Sequence, residues 1–234
     1  MFAILKKEIS SYFISPIGYI VMTIYWIFGG FYFYLTSLAQ NSSSLTYMFS
    51  NLFIITVFII PILTMRLFSE EKKQKTDQLL LTVPIPLRSV VIGKYLAALI
   101  MFIICIAISF VYTITISFFT PPDFAVILGN LLGIILLSAA LISIGMFLSS
   151  LTENQIIAAI SGFAVGILIL LLDTIAKYIP TEFLSNVFSK LSFMSHYNNF
   201  TLGVINLVDI IFFISVCIIF NFLTVRVFEK KRWA

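Results

Sequence analysis

The chain has 234 residues, of which 61% are hydrophobic and only 10% are charged, and its formal net charge is +4. A soluble globular domain carries charges on about 25% of its residues, so this composition excludes that class. The length is sufficient for about six membrane-spanning helices of ~20 residues each with short connections. We therefore expect one all-α integral membrane domain covering residues 1–234, with its basic residues at a membrane surface and no role in binding nucleic acid.

Residues 1–14 have the pattern of an amphipathic helix that lies at the membrane interface. The apolar face would carry Phe2, Leu5, Ile9 and Phe13, and the polar face Lys6, Lys7 and Ser10. Ser15 and Pro16 are a suitable N-cap and first residue for a first span at 17–38. A cleaved signal peptide is the alternative, but this apolar run is longer than the roughly 7–15 residues of a signal core, so we expect an uncut span.

Five further apolar segments predict spans at 45–65, 95–119, 124–150, 156–172 and 202–225. The longest connection on the outer side is 173–201. Within it, Thr181 could cap a helix whose apolar residues share one face: Phe183, Leu184, Val187, Phe188 and Leu191. We expect this helix to lie on the outer leaflet or to re-enter it. His196 follows, and without a second His or a Cys nearby we interpret it as a hydrogen-bonding residue rather than a metal ligand.

Two GxxxG pairs, Gly129 with Gly133 and Gly162 with Gly166, allow helix backbones to approach closely in lipid. We expect these contacts within the subunit rather than between subunits. Cys105 and Cys217 both fall in apolar runs, so we interpret them as small buried hydrophobes rather than a disulfide or a metal pair.

The segment 66–94 is the long polar interruption of the chain. It holds six basic residues: Arg66, Lys72, Lys73, Lys75, Arg88 and Lys94. With six spans and the N-terminus inside, all 14 Lys and Arg residues except Lys177 and Lys190 lie on one side. Because Lys and Arg near span ends resist translocation, we predict a multi-pass protein of the cell membrane with both termini in the cytoplasm.

Two short helices are predicted inside this segment. In the first, at 76–83, Thr76 is the N-cap, Asp77 suits the first turn, and Pro84 ends the helix. Its apolar stripe consists of Leu79, Leu80 and Val83. This stripe is equally compatible with lying on the bilayer surface and with docking into a partner protein. The second helix, at 89–94, runs into span three.

The same segment resembles a known family. The residues that carry the resemblance are Phe68-Ser69-Glu70-Glu71-Lys72, Thr76, Leu79-Leu80-Leu81-Thr82, Pro84 and Gly93-Lys94. They resemble the first cytoplasmic loop of type-2 ABC exporter permeases, and most closely that of the gliding-motility-associated group. Two positions differ from the family pattern. Lys75 stands where the family usually has Gly, and Asp77 stands where an apolar residue is common.

The resemblance implies the membrane-spanning subunit of an ABC exporter. It implies a cytoplasmic ATPase as one partner and a second permease subunit, identical or different, as another, with the membrane lipid around them. The residues that would couple the chain to the ATPase are Glu70, Glu71, Lys72, Thr76, Leu79, Leu80, Val83 and Glu153. The outer segment 173–201 would close the translocation path.

The sequence lacks the motifs of several functional classes. No GxxxxGK[ST], HExxH or GxSxG motif occurs, so we predict no catalytic residue, metal site or cofactor in this chain, and expect ATP and Mg²⁺ on the separate ATPase. Asp209 is the one Asp, Glu, Lys, Arg or His residue inside a predicted span, which disfavours an ion-coupled secondary transporter. A structural membrane subunit that does not transport remains the other alternative.

Overall fold

The computed structural model describes residues 2–40, 42, 44–76, 86–119, 121, 123–178 and 182–233. Its regular structure is helical throughout these ranges, without a strand. Six of the described helical segments are long and apolar enough to cross a membrane: Pro16–Leu38, Thr46–Lys73, Leu87–Ser117, Phe124–Leu151, Gln155–Ala176 and Leu207–Arg232. The prediction of an all-α, six-span membrane protein is confirmed.

The helices follow the predicted order. The N-terminal half contains α1 (Phe2–Ile14), α2 (Pro16–Phe33, continued by a π-helix over Tyr34–Leu38), α3 (Thr46–Thr64), α4 (Arg66–Lys73), α5 (Leu87–Ile106) and α6 (Ile108–Ser117). The C-terminal half contains α7 (Phe124–Leu151), α8 (Gln155–Tyr178), α9 (Glu182–Leu191), α10 (Phe193–Thr201) and α11 (Leu207–Trp233). The predicted cap of span one is confirmed, because the Ser15 hydroxyl accepts from the Ile17 N–H at 3.1 Å.

Three boundaries differ from the sequence prediction. The polar segment after span two is helical as α4, span five continues to Tyr178, and span six begins at Leu207 instead of 202 and includes the basic tail. The late start of α11 has a local cause. Gly203 adopts a φ of +76° and ends α10, with Val204 N–H donating to the Asn199 carbonyl at 3.0 Å. The tail stays helical because Phe228 is buried against Phe68, with 4.6 Å between ring centroids.

Helix α7 lies at the centre of the fold. In its most apolar stretch 72% of the residues are buried, compared with 22% in α8 and 22% in α11. The first GxxxG pair faces α10, since a Cβ on Gly133 would lie 2.6 Å from Phe200 Cβ. The second pair faces α3, since a Cβ on Gly162 would lie 2.8 Å from Pro61 Cβ. Both pairs therefore mediate contacts within the subunit, as predicted.

The two ends of the bundle have different character. One end, called the basic end below, gathers α1, α4, the start of α5, the turn 152–154 and the end of α11. It carries all 14 Lys and Arg residues of the chain except Lys177 and Lys190, which lie at the opposite end. The positive-inside tendency places the basic end in the cytoplasm, and this orientation remains a prediction.

The orientation can be tested with two single-cysteine variants in a cysteine-free background. Lys75→Cys lies at the basic end and Lys190→Cys at the opposite end, and both side chains are exposed. We expect a membrane-impermeant thiol reagent to label position 190 in intact cells, and position 75 only after the membrane is opened. Labelling of position 75 from outside would contradict the orientation.

At the opposite end, His196 and Asp209 join α10 to α11. His196 Nδ1 lies 2.5 Å from Asp209 Oδ1, and His196 Nε2 lies 3.0 Å from the Lys190 carbonyl. The second carboxylate oxygen accepts from Asn199 Nδ2 at 2.8 Å. The interpretation of His196 as a hydrogen-bonding residue is confirmed. Both oxygens of Asp209 have structural partners, and the described residues contain no cluster of three or more acidic, His or Cys side chains that could hold a metal ion.

Candidate functional site

The joint between α3 and α4 at Met65 is formed by a side chain from span four. Ser149 Oγ accepts from the N–H groups of Phe68 and Ser69, each at 3.1 Å, and donates to the Met65 carbonyl at 2.9 Å. A hydroxyl inserted into the backbone ladder of a helix is a recognised cause of a kink. The first turn of α4 is thereby fixed to the end of α7.

Helix α1 is fixed to the same joint. Tyr12 is buried, and its hydroxyl donates to the Leu63 carbonyl at 3.0 Å. Burial raises the pKa of the Tyr12 phenol, so the group remains a protonated donor. The Arg66 guanidinium lies over the Tyr12 ring at 4.8 Å and donates to Ser11 Oγ at 3.2 Å. Helix α1 therefore contacts the rest of the protein through the side that bears Ser11 and Tyr12, while Phe2 remains exposed.

Lys94 joins three helices in a buried ionic cluster. Only 2% of its side chain is exposed. Its ammonium group lies 2.8 Å from Glu8 Oε1 in α1, 2.9 Å from Glu71 Oε1 in α4, and 2.8 Å from the Leu67 carbonyl. A lysine ammonium has three hydrogens to donate, so each has one acceptor. The cluster links α1, α4 and α5 through a single side chain.

The electrostatic balance of this cluster depends on Lys94. Two carboxylates share its charge, and Glu71 Oε2 is buried without a hydrogen-bond partner among the described residues. Lys7 lies 3.8 Å from Glu71 Oε1, but its side chain is 72% exposed and therefore contributes little. Removal of one member of a buried ion pair leaves the other charge uncompensated, which is strongly destabilising. Lys94 is therefore the residue on which the cluster depends most.

Lys72 links α4 to the C-terminal end of α7. Its ammonium group donates to the Ser150 carbonyl and lies 5.9 Å from the centre of the Phe228 ring in α11. The last carbonyls of a helix have no partner within the helix, and a cation there is favourable for the helix dipole. Helix α4 thus contacts the end of span four through both Ser149 and Lys72.

This arrangement places a short polar helix in contact with α1, span three and span four at the basic end of a six-span bundle. A comparison with known protein families matches residues 2–233 to the ABC-2 family transporter proteins. The chain belongs to this family. It is therefore a membrane subunit of an ABC transporter, a class of permease that works with a cytoplasmic ABC ATPase. A comparison with curated proteins finds no match.

The structure places the predicted coupling residues of the permease in two different environments. Glu71 and Lys72 are partly buried and bind groups within the subunit, and their role in a contact with the ATPase stays a prediction. Glu70 is partly buried and accepts from Gln74 Nε2 at 3.4 Å. Thr76 is exposed. Leu79, Leu80 and Val83, with the predicted helix at 76–83, lie outside the described residues.

The turn between spans four and five carries the remaining predicted residue, Glu153, which is exposed. The turn consists of residues 152–154, in agreement with the predicted short connection. Asn154 Oδ1 accepts from the Ile156 N–H at 2.9 Å, and Thr152 Oγ1 accepts from the Asn154 N–H at 3.1 Å. These bonds fix the turn and hold Glu153 at the surface beside α4.

Sequence reasoning missed Glu8, Ser149 and the buried position of Lys94. The sequence predicts Lys94 at the end of a helix in the polar segment, whereas in the structure it lies two turns inside α5 and is buried. A signal for this was present. Leu87, Val90, Val91 and Lys94 have the spacing of a single helical face, and all four are buried.

A polar cleft of about 220 Å³ opens beside this cluster. Its lining combines the buried ionic groups with the partly buried Glu70 and with two exposed residues just after α4, Gln74 and Thr76. The cleft therefore connects the surface of the permease at the basic end directly with the Lys94 cluster.

The end of α4 explains why the family usually has Gly at position 75. Thr76 N–H donates to the Glu71 carbonyl at 3.0 Å and Lys75 N–H to the Lys72 carbonyl at 3.1 Å, the two bonds of a Schellman motif. The residue after the cap of such a motif adopts a left-handed conformation, and Lys75 has a φ of +58°. Gly203 occupies the same place at the end of α10 with a φ of +76°.

We expect Lys75→Gly to stabilise the permease. The left-handed conformation costs an L-residue about 1–2 kcal/mol, and the extra chain entropy of glycine offsets part of the gain, which leaves about 0.5–1 kcal/mol. The measurement is the thermal unfolding midpoint in one detergent. Lys73→Gly removes the same charge inside α4 and should lower the midpoint instead. A Lys75→Gly variant no more stable than the parent would contradict the strain at this position.

Proposed function

We propose that this permease forms the translocation path of an ABC exporter together with a second permease subunit, and that ATP hydrolysis by a separate cytoplasmic ATPase drives it through the segment 66–94. The gliding-motility-associated group is the subfamily that its polar segment resembles most. ATP and Mg²⁺ bind to the ATPase in this proposal. The observation that carries it is the attachment of α4 to α1, α5 and α7 at the basic end.

The first step of the coupling is a contact between the ATPase and the basic end. The exposed groups at this end include Thr76, Gln74 and Glu153, with the predicted helix at 76–83 as the main docking element. When this helix docks, its apolar residues Leu79, Leu80 and Val83 would insert into a groove of the ATPase. The exposed turn 152–154 would supply a second, smaller contact.

The second step is the transmission of movement from α4 to the spans. Helix α4 follows α3 directly, so a displacement of its end acts on α3 through the joint at Met65. The Lys94 cluster would carry the same displacement to α1 and α5, and Ser149 would carry it to α7. Separation of a buried ion pair costs several kcal/mol, so these helices would move together rather than slide past one another.

A path between two subunits is supported by the packing inside one subunit. The cavity between α3, α7 and α8 measures about 10 Å³, on the order of one water probe. Spans one, five and six have small buried fractions of 28%, 22% and 22%, whereas spans two and four have 67% and 72% of their residues buried. These three spans, which are the least buried, offer the surface for a second subunit and for lipid.

The test is purification of the permease from its native membrane in mild detergent. We expect an ATPase to copurify and two permease chains to be present in each complex that hydrolyses ATP. Mass measurement that finds a single permease chain in the active complex would contradict the shared path. An ATPase that copurifies but hydrolyses ATP at the same rate without this chain would instead indicate a structural subunit.

A further inference from the structure

A cleft between α5 and α11 at the basic end has the features of a lipid headgroup site. It measures about 370 Å³ and is lined by charged residues at its mouth and mostly apolar residues below them. Arg88 belongs to the first turn of α5, and Arg226 and Glu229 belong to the end of α11. Because the basic end lies where the two spans reach the membrane surface, this mouth is at the level of lipid headgroups.

The charges of the cleft suit one phosphodiester group. Arg226 Nη1 contacts Glu229 Oε2 at 2.7 Å, so these two charges balance each other. Arg88 is exposed and has no ionic or hydrogen-bond partner among the described residues. The cleft therefore carries one positive charge in excess, which complements the single negative charge of a phosphodiester.

The walls below the mouth suit acyl chains. Ile92 and Phe222 line the cleft and are 41% and 51% exposed, and Ile218 continues this apolar face along α11. Exposed apolar surface that continues from a charged mouth into the hydrocarbon region fits a lipid better than a soluble anion.

One polar atom in the cleft requires a donor from its occupant. Asn221 Oδ1 is buried without a hydrogen-bond partner among the described residues, whereas its Nδ2 donates to the Cys217 carbonyl at 2.8 Å. Buried polar atoms in native structures are almost always paired. A hydrated headgroup brings water as a donor into the cleft, which a bare acyl chain does not.

We propose that this cleft binds an anionic phospholipid of the inner leaflet, with its phosphate between Arg88 and Arg226 and its chains along Ile92, Phe222 and Ile218. Bound there, the lipid joins span three to span six at the membrane surface. The site does not depend on transport or on the ATPase, so its test is independent of the proposed function.

The test is native mass spectrometry of the purified permease in detergent with equal amounts of palmitoyl-oleoyl phosphatidylglycerol and the corresponding phosphatidylcholine. We expect the wild-type permease to retain phosphatidylglycerol in preference to phosphatidylcholine. Arg88→Gln or Arg226→Gln should lower this preference roughly fivefold, the factor typical of one basic group near an anionic lipid surface. Arg88→Lys, which keeps the charge, should retain it.

Lys230→Gln is the matched control, because it removes an exposed positive charge from the same helix end outside the cleft. It should leave the preference unchanged. Equal retention of both lipids by the wild-type permease would overturn the proposal. So would a Lys230→Gln variant that loses as much of the preference for phosphatidylglycerol as Arg88→Gln or Arg226→Gln does. Inorganic phosphate should not displace the lipid more than chloride does at equal ionic strength. Displacement by phosphate alone would assign the cleft to a soluble anion and overturn the lipid assignment.

Discussion

Replacement of Leu80 by Asp is expected to weaken binding of the ATPase roughly a hundredfold or more and to leave membrane insertion unchanged. Leu80 lies outside the described residues, and the prediction rests on the apolar stripe that it forms with Leu79 and Val83. In a docked helix the new carboxylate would be buried without a partner, at a cost of several kcal/mol. Because about 1.4 kcal/mol corresponds to a tenfold change in affinity, a cost of several kcal/mol weakens binding of the ATPase about a hundredfold or more.

The measurement is a pull-down of the ATPase combined with its hydrolysis rate in the presence of the permease. Leu184→Asp is a matched control, because it introduces the same charge at an exposed leucine of α9, at the opposite end. This control should bind the ATPase normally. If the stripe lies on the bilayer surface instead, the Asp can turn toward water at modest cost. A Leu80→Asp permease that inserts, binds and stimulates the ATPase normally would therefore exclude the docking assignment.

Replacement of Lys94 by Met is expected to destabilise the permease by about 3–5 kcal/mol, the range found when one partner of a buried ion pair is removed. Methionine keeps most of the volume of the lysine side chain but leaves Glu8 and Glu71 without a counter-charge in a buried site. The measurement is the free energy of unfolding in detergent. Lys73→Met is the control, because Lys73 is an exposed residue of the same polar segment, and we expect its effect to be small.

A second set of variants separates stability from coupling. Adding Glu8→Gln and Glu71→Gln to Lys94→Met removes the uncompensated charges and should recover most of the lost stability. This triple variant should still bind the ATPase, because the predicted docking helix is unchanged, but ATPase stimulation should fall because the ionic link between α1, α4 and α5 is absent. Unchanged stability in Lys94→Met would show that the cluster contributes little. Full stimulation in the triple variant would show that the cluster does not transmit movement.

The spans could be predicted from the sequence because each is a long apolar run with local end signals. Ser15 with Pro16 and the Asp123 cap of α7 act within a few residues of the helix that they begin. The end of α10 also has a local signal, since Gly203 takes a left-handed conformation, but the apolar residues around it hid the break before Leu207. Hydropathy alone therefore placed the start of span six too early.

Helix α4 and the Lys94 cluster could not be predicted in the same way, because their causes are distant in sequence. The hydroxyl that caps α4 comes from Ser149, 81 residues after Phe68. Glu8 and Lys94 are 86 residues apart. The composition of the sequence shows correctly that α4 is polar. Its attachment to the bundle, and the contacts of Glu71 and Lys72 within the subunit, arise only from the tertiary structure. The helical spacing of Lys94 with Leu87 and Val91 indicated its burial, although not its partners.

In the proposed function, the basic end of this permease receives the force of ATP hydrolysis and passes it to the spans. The most direct measurement is the ATP turnover of the copurified ATPase in liposomes, with wild-type permease, with the triple variant at the Lys94 cluster, and without permease. We predict the fastest turnover with wild type, a reduced rate with the triple variant despite normal binding, and the slowest rate without permease. Equal turnover in all three preparations would contradict this transmission of force.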